Sequence, residues 1–256
     1  MDIKVVSLNT WHGGRIFEPM VQFLRDQNAD IILLQEVLNA GNAALEPRFN
    51  CFTELPKLLG YQYAEYAPAF SWTLPEGAIE SGNAVLSKFP LKSFEPIFFN
   101  EPYREDYIDN EEGFKTCPRN LQHVEATTPA GPVHVFNLQG VWDLDGDNVS
   151  EKRLNMSRII IEQSKGLPHV VVAGDTNAKP TNKAMLAIEE HLVSVFKNDL
   201  KTSFNVRRKD LVKFPGYATA TVDLMYVSHD VDVLARDCPD ADVSDHLPLT
   251  ATLRLR

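Results

Sequence analysis

Cysteine is nearly missing from this sequence, long apolar runs are missing altogether, and basic charge is in deficit. The 256 residues hold three cysteines, Cys51, Cys117 and Cys238, none paired at metal-ligand or redox spacing. Isolated reduced thiols are expected. No apolar stretch approaches the length of a membrane span, and no charged and apolar leader precedes the strand-like start. A cytoplasmic protein with no membrane contact is expected. Lysine and arginine number 25 against 35 aspartates and glutamates, a net charge of -10. Duplex binding draws most of its non-specific affinity from phosphate neutralisation, so extended wrapping of DNA is disfavoured. Any nucleic-acid contact must use a local patch. Low-complexity tracts, short repeats and linkers are absent too, which predicts one domain over residues 1–256, with a monomer expected.

What is present is a globular composition, 44% apolar and 23% charged, in a chain long enough to bury a sizeable core. Short apolar runs alternate with amphipathic stretches. Ile3–Leu8 reads as a buried strand ending at Asn9, and Ile31–Leu34 as a second ending at Gln35-Glu36. Ala84–Ser87, Leu121–Ala126, Val133–Asn137, Val170–Ala173, Val222–Val227 and Leu249–Leu255 are strand-like as well. Pro19–Gln27, Lys152–Lys165 and Lys183–His191 have helical spacing. Strands interleaved with helices predict an α/β fold. Several strands are joined by loops too short for a helical crossover, so a mixed or antiparallel sheet is expected. The stretch from Glu101 to Glu112 gathers Glu101, Glu105, Asp106, Asp109, Glu111 and Glu112 around Tyr103 and Tyr107, with only Arg104 opposing. It reads as a solvated loop, or as a rim or lid that repels polyanions.

Polar residues able to bind metal or move protons recur where the apolar runs stop. Asn9 and Glu36 each follow such a run; Asp175 and Asn177 follow Val-Val-Val-Ala-Gly; Asp245-His246 precedes the last strand. Strand ends collect at one edge of a sheet, so these side chains can converge in one cleft. A carboxylate at the mouth of an apolar strand is costly unless paired or bound to a cation, and oxygen ligands suit Mg²⁺ or Mn²⁺. Each residue also has a plainer explanation: Asn9 as a turn former, Glu36 as a loop carboxylate, Gly174-Asp175-Thr176-Asn177 as an Asx turn. Asp223 would be an ion-pair partner and Asp245-His246 a surface pair. Their joint order is more specific than any one of them.

That order resembles the endonuclease/exonuclease/phosphatase family, with its deoxyribonuclease I-like fold. The matching segments are Ser7-Leu-Asn-Thr-Trp11, Leu33-Leu-Gln-Glu-Val37, Gly82-Asn-Ala-Val-Leu-Ser87, Gly174-Asp-Thr-Asn177, Val222-Asp-Leu-Met-Tyr-Val-Ser228 and Ser244-Asp-His-Leu-Pro248. The resemblance implies an α/β four-layer sandwich, two mixed, mostly antiparallel sheets packed face to face with helices outside. It implies a divalent-metal-dependent phosphoesterase. Glu36 and Asn9 would be metal-site residues, with Asp245 also touching the metal. Asp175 and Asn177 would orient and activate the attacking water, His246 would meet the scissile phosphate or relay protons, and Asp223 would fix its imidazole. In the central strand Val135-Phe-Asn-Leu-Gln-Gly140, Asn137 and Gln139 fall at catalytic positions, Gln139 standing where many members carry a His. A glutamine can donate to a phosphate oxygen but cannot release a proton. Arg119 matches a position where a basic residue often faces the phosphate, with a surface Arg as the alternative. His12 could line the rim or be a solvated loop residue. Arg207-Arg208-Lys209 is the only tight basic run, either an exposed loop or a substrate anchor.

Three functions compete at this point. A phosphodiesterase for single-stranded, damaged or terminal nucleic acid could stack bases on Phe214 and Tyr217. That reading comes first, although the acidic balance opposes it, and a phosphatase or phosphodiesterase for a small molecule or lipid head group is the alternative. A scaffold without catalysis would have little reason to keep the polar set intact.

Overall fold

A computed structural model of the chain describes residues 1–75, 77–108, 110–143 and 146–256, the side chains of residues 111 and 112 excepted. Asp109 and the side chains of Glu111 and Glu112, from the acidic stretch, therefore lie outside the described residues. The chain opens with β1 (Asp2–Asn9), a tight turn α1 (Trp11–Gly14), α2 (Phe17–Gln27) and β2 (Ile31–Asn39). Next come α3 (Cys51–Leu59), β3 (Tyr63–Leu74), β4 (Gly77–Ser87), β5 (Leu91–Ser93) and β6 (Ile97–Phe98). They are followed by α4 (Glu111–Lys115), β7 (Asn120–Thr128), β8 (Gly131–Gln139), α5 (Glu151–Ser164) and β9 (Val170–Asp175). The chain closes with α6 (Lys183–Glu189), β10 (Val193–Ser194), β11 (Asp223–Val227), β12 (Val231–Asp237) and β13 (Leu249–Leu255).

Among the described residues the strands form two sheets, β12-β13-β1-β2-β4-β3 and β10-β11-β9-β8-β7-β5, with β6 also on β7. Only β1–β2 and β8–β9 pair in parallel. Each of those two pairs is joined through a helix, α2 and α5 respectively, and the other pairs run antiparallel. The short apolar runs lack polar alternation because both faces of each sheet are covered. Val5, Ile31 and Leu33 point inward to meet Val135, Val171 and Ala173 of the other sheet. Their neighbours Val6, Ile32 and Leu34 point outward to Met20, Leu24 and Leu55 of α2 and α3. On the far side Val170, Val172 and Leu224 pack on Met156 and Ile160 of α5 and Met185 and Ile188 of α6. Four layers result, as expected.

Helix ends follow from capping. The side chains of Ser150 and Asn182 accept from backbone N–H groups in the first turns of α5 and α6. Asn28 closes α2 in the left-handed conformation. Two expectations need correction. β2 does not stop at Gln35-Glu36 but continues to Asn39, with those two residues opposite one on β4. This bulge puts Glu36 at φ 55 and redirects its side chain. β3 escaped notice because Pro68 interrupts the run, and a register shift between Pro68 and Phe70 absorbs it.

Candidate active site

All the polar strand ends lie along one edge where the two sheets meet. Antiparallel pairing sets Asp223, at the start of β11, directly opposite Asp175 at the end of β9. Parallel pairing sets Gln139 of β8 beside Asp175 from the other flank. Gly174 precedes Asp175 at φ 148, and a Cβ there would lie 2.0 Å from the Leu138 carbonyl oxygen, so only glycine lets the strand deliver Asp175 at this point. Asn9 and Glu36 come from the opposing sheet.

Hydrogen bonds stitch the set together. Asn9 Nδ2 donates to Glu36 Oε1 at 3.0 Å and to Asp175 Oδ2 at 3.1 Å. Asp175 Oδ1 accepts from the Asn177 backbone N–H at 2.9 Å, so the Asx turn is real and also orients the carboxylate. Asn177 Nδ2 reaches the Gly140 carbonyl oxygen at 3.0 Å. His246 Nδ1 meets Asp223 Oδ2 at 2.8 Å, fixing the ring. Among the described residues Asp175, Asp223 and His246 bring one ligating atom each within 4.8 Å of one another.

Electrostatics separates the three acids. Burial would raise Glu36, but the charge of His12, the Asn9 amide, Arg119 and His246 outweigh it and lower its carboxyl to about 2. Asp175 goes the other way. Desolvation, with the Asp223 and Glu36 carboxylates adding repulsion, raises it to about 6 although His246 opposes. Burial alone would depress the His246 imidazole; Asp223, with Asp245 and Asp175 behind it, raises it to about 9. At neutral pH the edge therefore holds an anionic Glu36, a poised Asp175 and an imidazolium.

Glu36 also tests the expectation of a metal. Its Oε1 accepts from Asn9 and, at 2.7 Å, from Gln139 Nε2, and its Oε2 accepts from the His12 backbone N–H at 3.0 Å. A carboxylate has about four acceptor sites, and Glu36 lines an open cleft. One lone pair is left for a ligand, and a hard cation fits such an oxygen. Asn9 is also engaged within the protein: its Nδ2 links two carboxylates, and its Oδ1 accepts from the Trp11 backbone N–H at 3.0 Å with one lone pair to spare. Asp245 is likewise engaged, its Oδ2 2.5 Å from Lys209 Nζ, and Ser244 Oγ ties the Asn9 carbonyl at 2.7 Å to Asp245 Oδ1 at 3.4 Å.

Asn137 is the clearest correction. Its side chain is fully buried between the sheets and does not enter the cleft. Nδ2 donates to the Leu34 and Ala84 carbonyl oxygens at 2.9 and 3.0 Å and to Gln122 Oε1 at 3.1 Å. Oδ1 accepts from Gln35 Nε2 at 2.7 Å. Asn137 is a cross-tie between sheets. Asn137→Ala leaves several buried groups unpaired at about 1–3 kcal/mol each, so urea unfolding of the variant should show stability lower by at least about 2 kcal/mol.

Gln139 donates one N–H to Glu36 and accepts from Arg119 NH1, bridging the two and leaving its second N–H for a phosphate oxygen. Arg119 faces the cleft, as does His12, whose Nδ1 lies 3.6 Å from Glu36 Oε2, so the solvated-loop reading of His12 fails. The basic run is not a free anchor. Arg207 pairs with Asp240, Arg208 with Asp242 and Lys209 with Asp245. Tyr217 belongs to this clamp, it and Phe204 flanking the Lys209 ammonium at 4.9 and 4.7 Å, while Phe214 lies half-exposed beside Tyr217 and Lys213. The sequence reading missed Arg153, fully buried, which holds the Asn177 carbonyl oxygen with its guanidinium. A lone arginine in an amphipathic helix carries no signal of that role.

A family model described as "Endonuclease/Exonuclease/phosphatase family" matches residues 6–246. No curated protein sequence matches the chain. Among solved structures, an endonuclease/exonuclease/phosphatase from Beutenbergia cavernae superposes with a TM-score of 0.73 at 22% identity, covering 99% of this chain and 72% of that one. A mannosyl-6-phosphatase from Bacteroides thetaiotaomicron gives 0.65 at 15% identity over 99% and 100% of the two chains. Sphingomyelinase C from Streptomyces griseocarneus gives 0.65 at 16% over 98% and 99%. No helix among the described residues is long and apolar enough to cross a membrane.

Proposed function

The chain belongs to the endonuclease/exonuclease/phosphatase family, and from that premise we propose that it hydrolyses phosphate esters, diesters foremost, with Mg²⁺ or Mn²⁺ held at Glu36. The observation that carries this is the buried Asp175 carboxylate, oriented by Asn9 and Asn177 and set among the same few ångströms as the Asp223–His246 pair. Asp175 accepts the proton of the attacking water, since burial has made it a better base than an ordinary aspartate. His246 stays cationic beside Asp223 and donates toward phosphate or leaving-group oxygen as negative charge builds there. Asn177, held at the Gly140 carbonyl, turns its second N–H toward a substrate oxygen. When bound, the cation supplies further offset of phosphate charge. Gln139 and Asn9 hold Glu36 for it.

The experiment is a Mg²⁺/Mn²⁺ activity panel of aryl phosphodiesters and monoesters, single-stranded and abasic oligonucleotides, and inositol and phosphatidyl phosphates, with Asp175→Asn as blank. Metal-dependent cleavage that survives in the blank, or no cleavage anywhere, overturns the reading. A small-molecule ester is favoured over a long polynucleotide by the net charge of -10.

The protonation states predict a bell. Asp175 must lose its proton and His246 must keep its own, so kcat/KM should rise through about pH 6 and fall through about pH 9. Asp223→Asn removes the main support of the imidazolium and should pull the alkaline limb down by more than one pH unit. A limb unmoved in that variant would remove His246 from the assignment.

A further inference from the structure

The segment between β10 and β11 carries an enclosed lysine that the chemistry described so far does not use. Lys209 Nζ lies 2.5 Å from Asp245 Oδ2, and both side chains are only 13% exposed. The ammonium faces the Phe204 ring at 4.7 Å and the Tyr217 ring at 4.9 Å, and those two rings meet edge to face. A lysine ordinarily keeps its charged end in water. An ammonium shut in by a carboxylate and two π-faces is a fixed positive charge. It is also tied to the reacting groups. The Phe204 ring that faces Lys209 lies 4.7 Å from the His246 imidazole. The Leu247 N–H donates to the Ser203 carbonyl at 2.7 Å, and the Asn205 N–H to the Asp245 carbonyl at 2.9 Å. Ser203 Oγ accepts from the Val222 and Asp223 N–H groups at 2.9 and 3.1 Å. Residues 203–205 are therefore a strap that seats Asp223, Asp245 and His246 together with the lysine.

Acids gathered at one edge each need an answering charge or donor. Asp223 is met by His246, and Asp175 by the Asn9 amide and the Asn177 N–H. Glu36 keeps a lone pair toward the open cleft. Asp245 alone is met by a lysine. A hard cation seeks just such a carboxylate oxygen. To take this one it must displace the ammonium from the carboxylate and from both rings, into a place with little room for its water. An exposed pair would yield readily, because it is worth little in water. An enclosed pair does not, since parting it leaves a buried charge unanswered.

We propose that Lys209 is a built-in cation at Asp245, filling the place a second divalent ion would otherwise take, so that this chain binds a single divalent ion. The reading of Glu36 as the seat of that ion is the premise taken from the phosphoesterase assignment. Lys209 is a positioning residue. It acts through Asp245 and Phe204 and supplies one side of the site with a positive charge that does not come and go with the metal concentration.

The test is a count of Mn²⁺ bound per intact chain, read from the spin-resonance signal of the free ion during titration. The parent is expected to bind one ion. Lys209→Met keeps a flexible apolar stem between the rings but strips the charge from Asp245, and is expected to bind two. Lys209→Arg keeps a cation that stacks and pairs, and should stay at one. Lys213→Met removes the same charge from an exposed neighbour and should also stay at one. Lys209→Met with Asp245→Asn should return to the parent's count, which places the added ion at Asp245. Melting in EDTA checks each fold, and Mn²⁺ should raise the melting temperature of Lys209→Met more than that of the parent. Should Lys209→Met not fold, Asp245→Asn decides alone. It should weaken the parent's ion less than about tenfold, whereas a lost ligand costs more than the loss of an outer partner does. Two ions on the parent, an unchanged count in Lys209→Met, a second ion on Lys209→Arg or Lys213→Met, or a larger loss in Asp245→Asn overturns the proposal. A parent that binds no ion sinks the Glu36 seat and the metal-dependent reading, and one ion gained in Lys209→Met then still upholds the lysine.

Discussion

Asp175→Asn is expected to abolish turnover and, in metal-free buffer at pH 8, to make the protein more stable. The activity loss follows from removing the proton acceptor, worth about 10²–10⁴-fold, and from losing a carboxylate near the charged phosphate. The stability gain follows from linkage, less what is lost where the new NH₂ meets the Asn9 amide or the Asn177 N–H, both of which donate to this carboxylate. The folded carboxyl is raised from 3.8 to about 6, so the native state holds a proton that the unfolded state has released between those values. Stability therefore falls as pH climbs through that window, and above it the buried anion is a liability. Two units at 1.36 kcal/mol each is roughly 3 kcal/mol at most, or several degrees in melting temperature for a chain of this size. Melts of both proteins in EDTA at pH 5 and pH 8 read this directly. A variant less stable than the parent at pH 8 would show that Asp175 is satisfied as an anion and is no strained base.

Glu36→Gln is expected to do the opposite to stability while also destroying activity. Glu36 accepts three donors, and its carboxyl is depressed from 4.5 to about 2. Its stabilising contribution is present above the unfolded value and is lost as pH falls through the folded one. A fifth of the side chain remains exposed, so up to about 3 kcal/mol is an upper bound once solvent screening is counted. A glutamine keeps one acceptor but turns an NH₂ against the His12 N–H. Loss of the anion should weaken Mg²⁺ or Mn²⁺ binding at least about 100-fold, more than loss of an outer partner does, measured by calorimetry alongside urea unfolding at pH 7. Undiminished cation affinity would move the metal away from Glu36, leaving the Asp175, Asp223 and His246 group as its seat. The two isosteric changes thus carry opposite signs in stability and the same sign in rate. That pattern is hard to obtain from carboxylates that merely decorate a surface.

Much of this was readable from the chain because both sheets are covered on both faces. Uninterrupted apolar runs such as Ile31–Leu34 and Val170–Ala173 announce themselves, and polar residues where they stop must gather at an edge. Glu36, Asp175 and His246 are legible that way, Asp223 through the family resemblance, and the four stand together. What stayed hidden depends on pairing rather than on local pattern. The bulge that turns Glu36 into the cleft is a count of two residues against one on β4, which no single strand reveals. Asn137 looks like a cleft residue by position, and only its partners on β2, β4 and β7 show it facing inward. The clamp of Arg207, Arg208 and Lys209 on Asp240, Asp242 and Asp245 joins segments more than 30 residues apart. The contact of Phe70 with Trp72 was obscured by Pro68, which hid β3.

The Asn9 amide holds a carboxylate from each sheet, Glu36 on its own and Asp175 on the other. The reacting groups therefore straddle a seam, and their spacing is set by how the two halves of the sandwich sit on each other. Sliding by a fraction of an ångström would leave each half folded yet pull the proton acceptor away from the cation seat. Warming should consequently silence the enzyme some degrees before its strands come apart, with the tie at Asn137 deciding how wide that gap is.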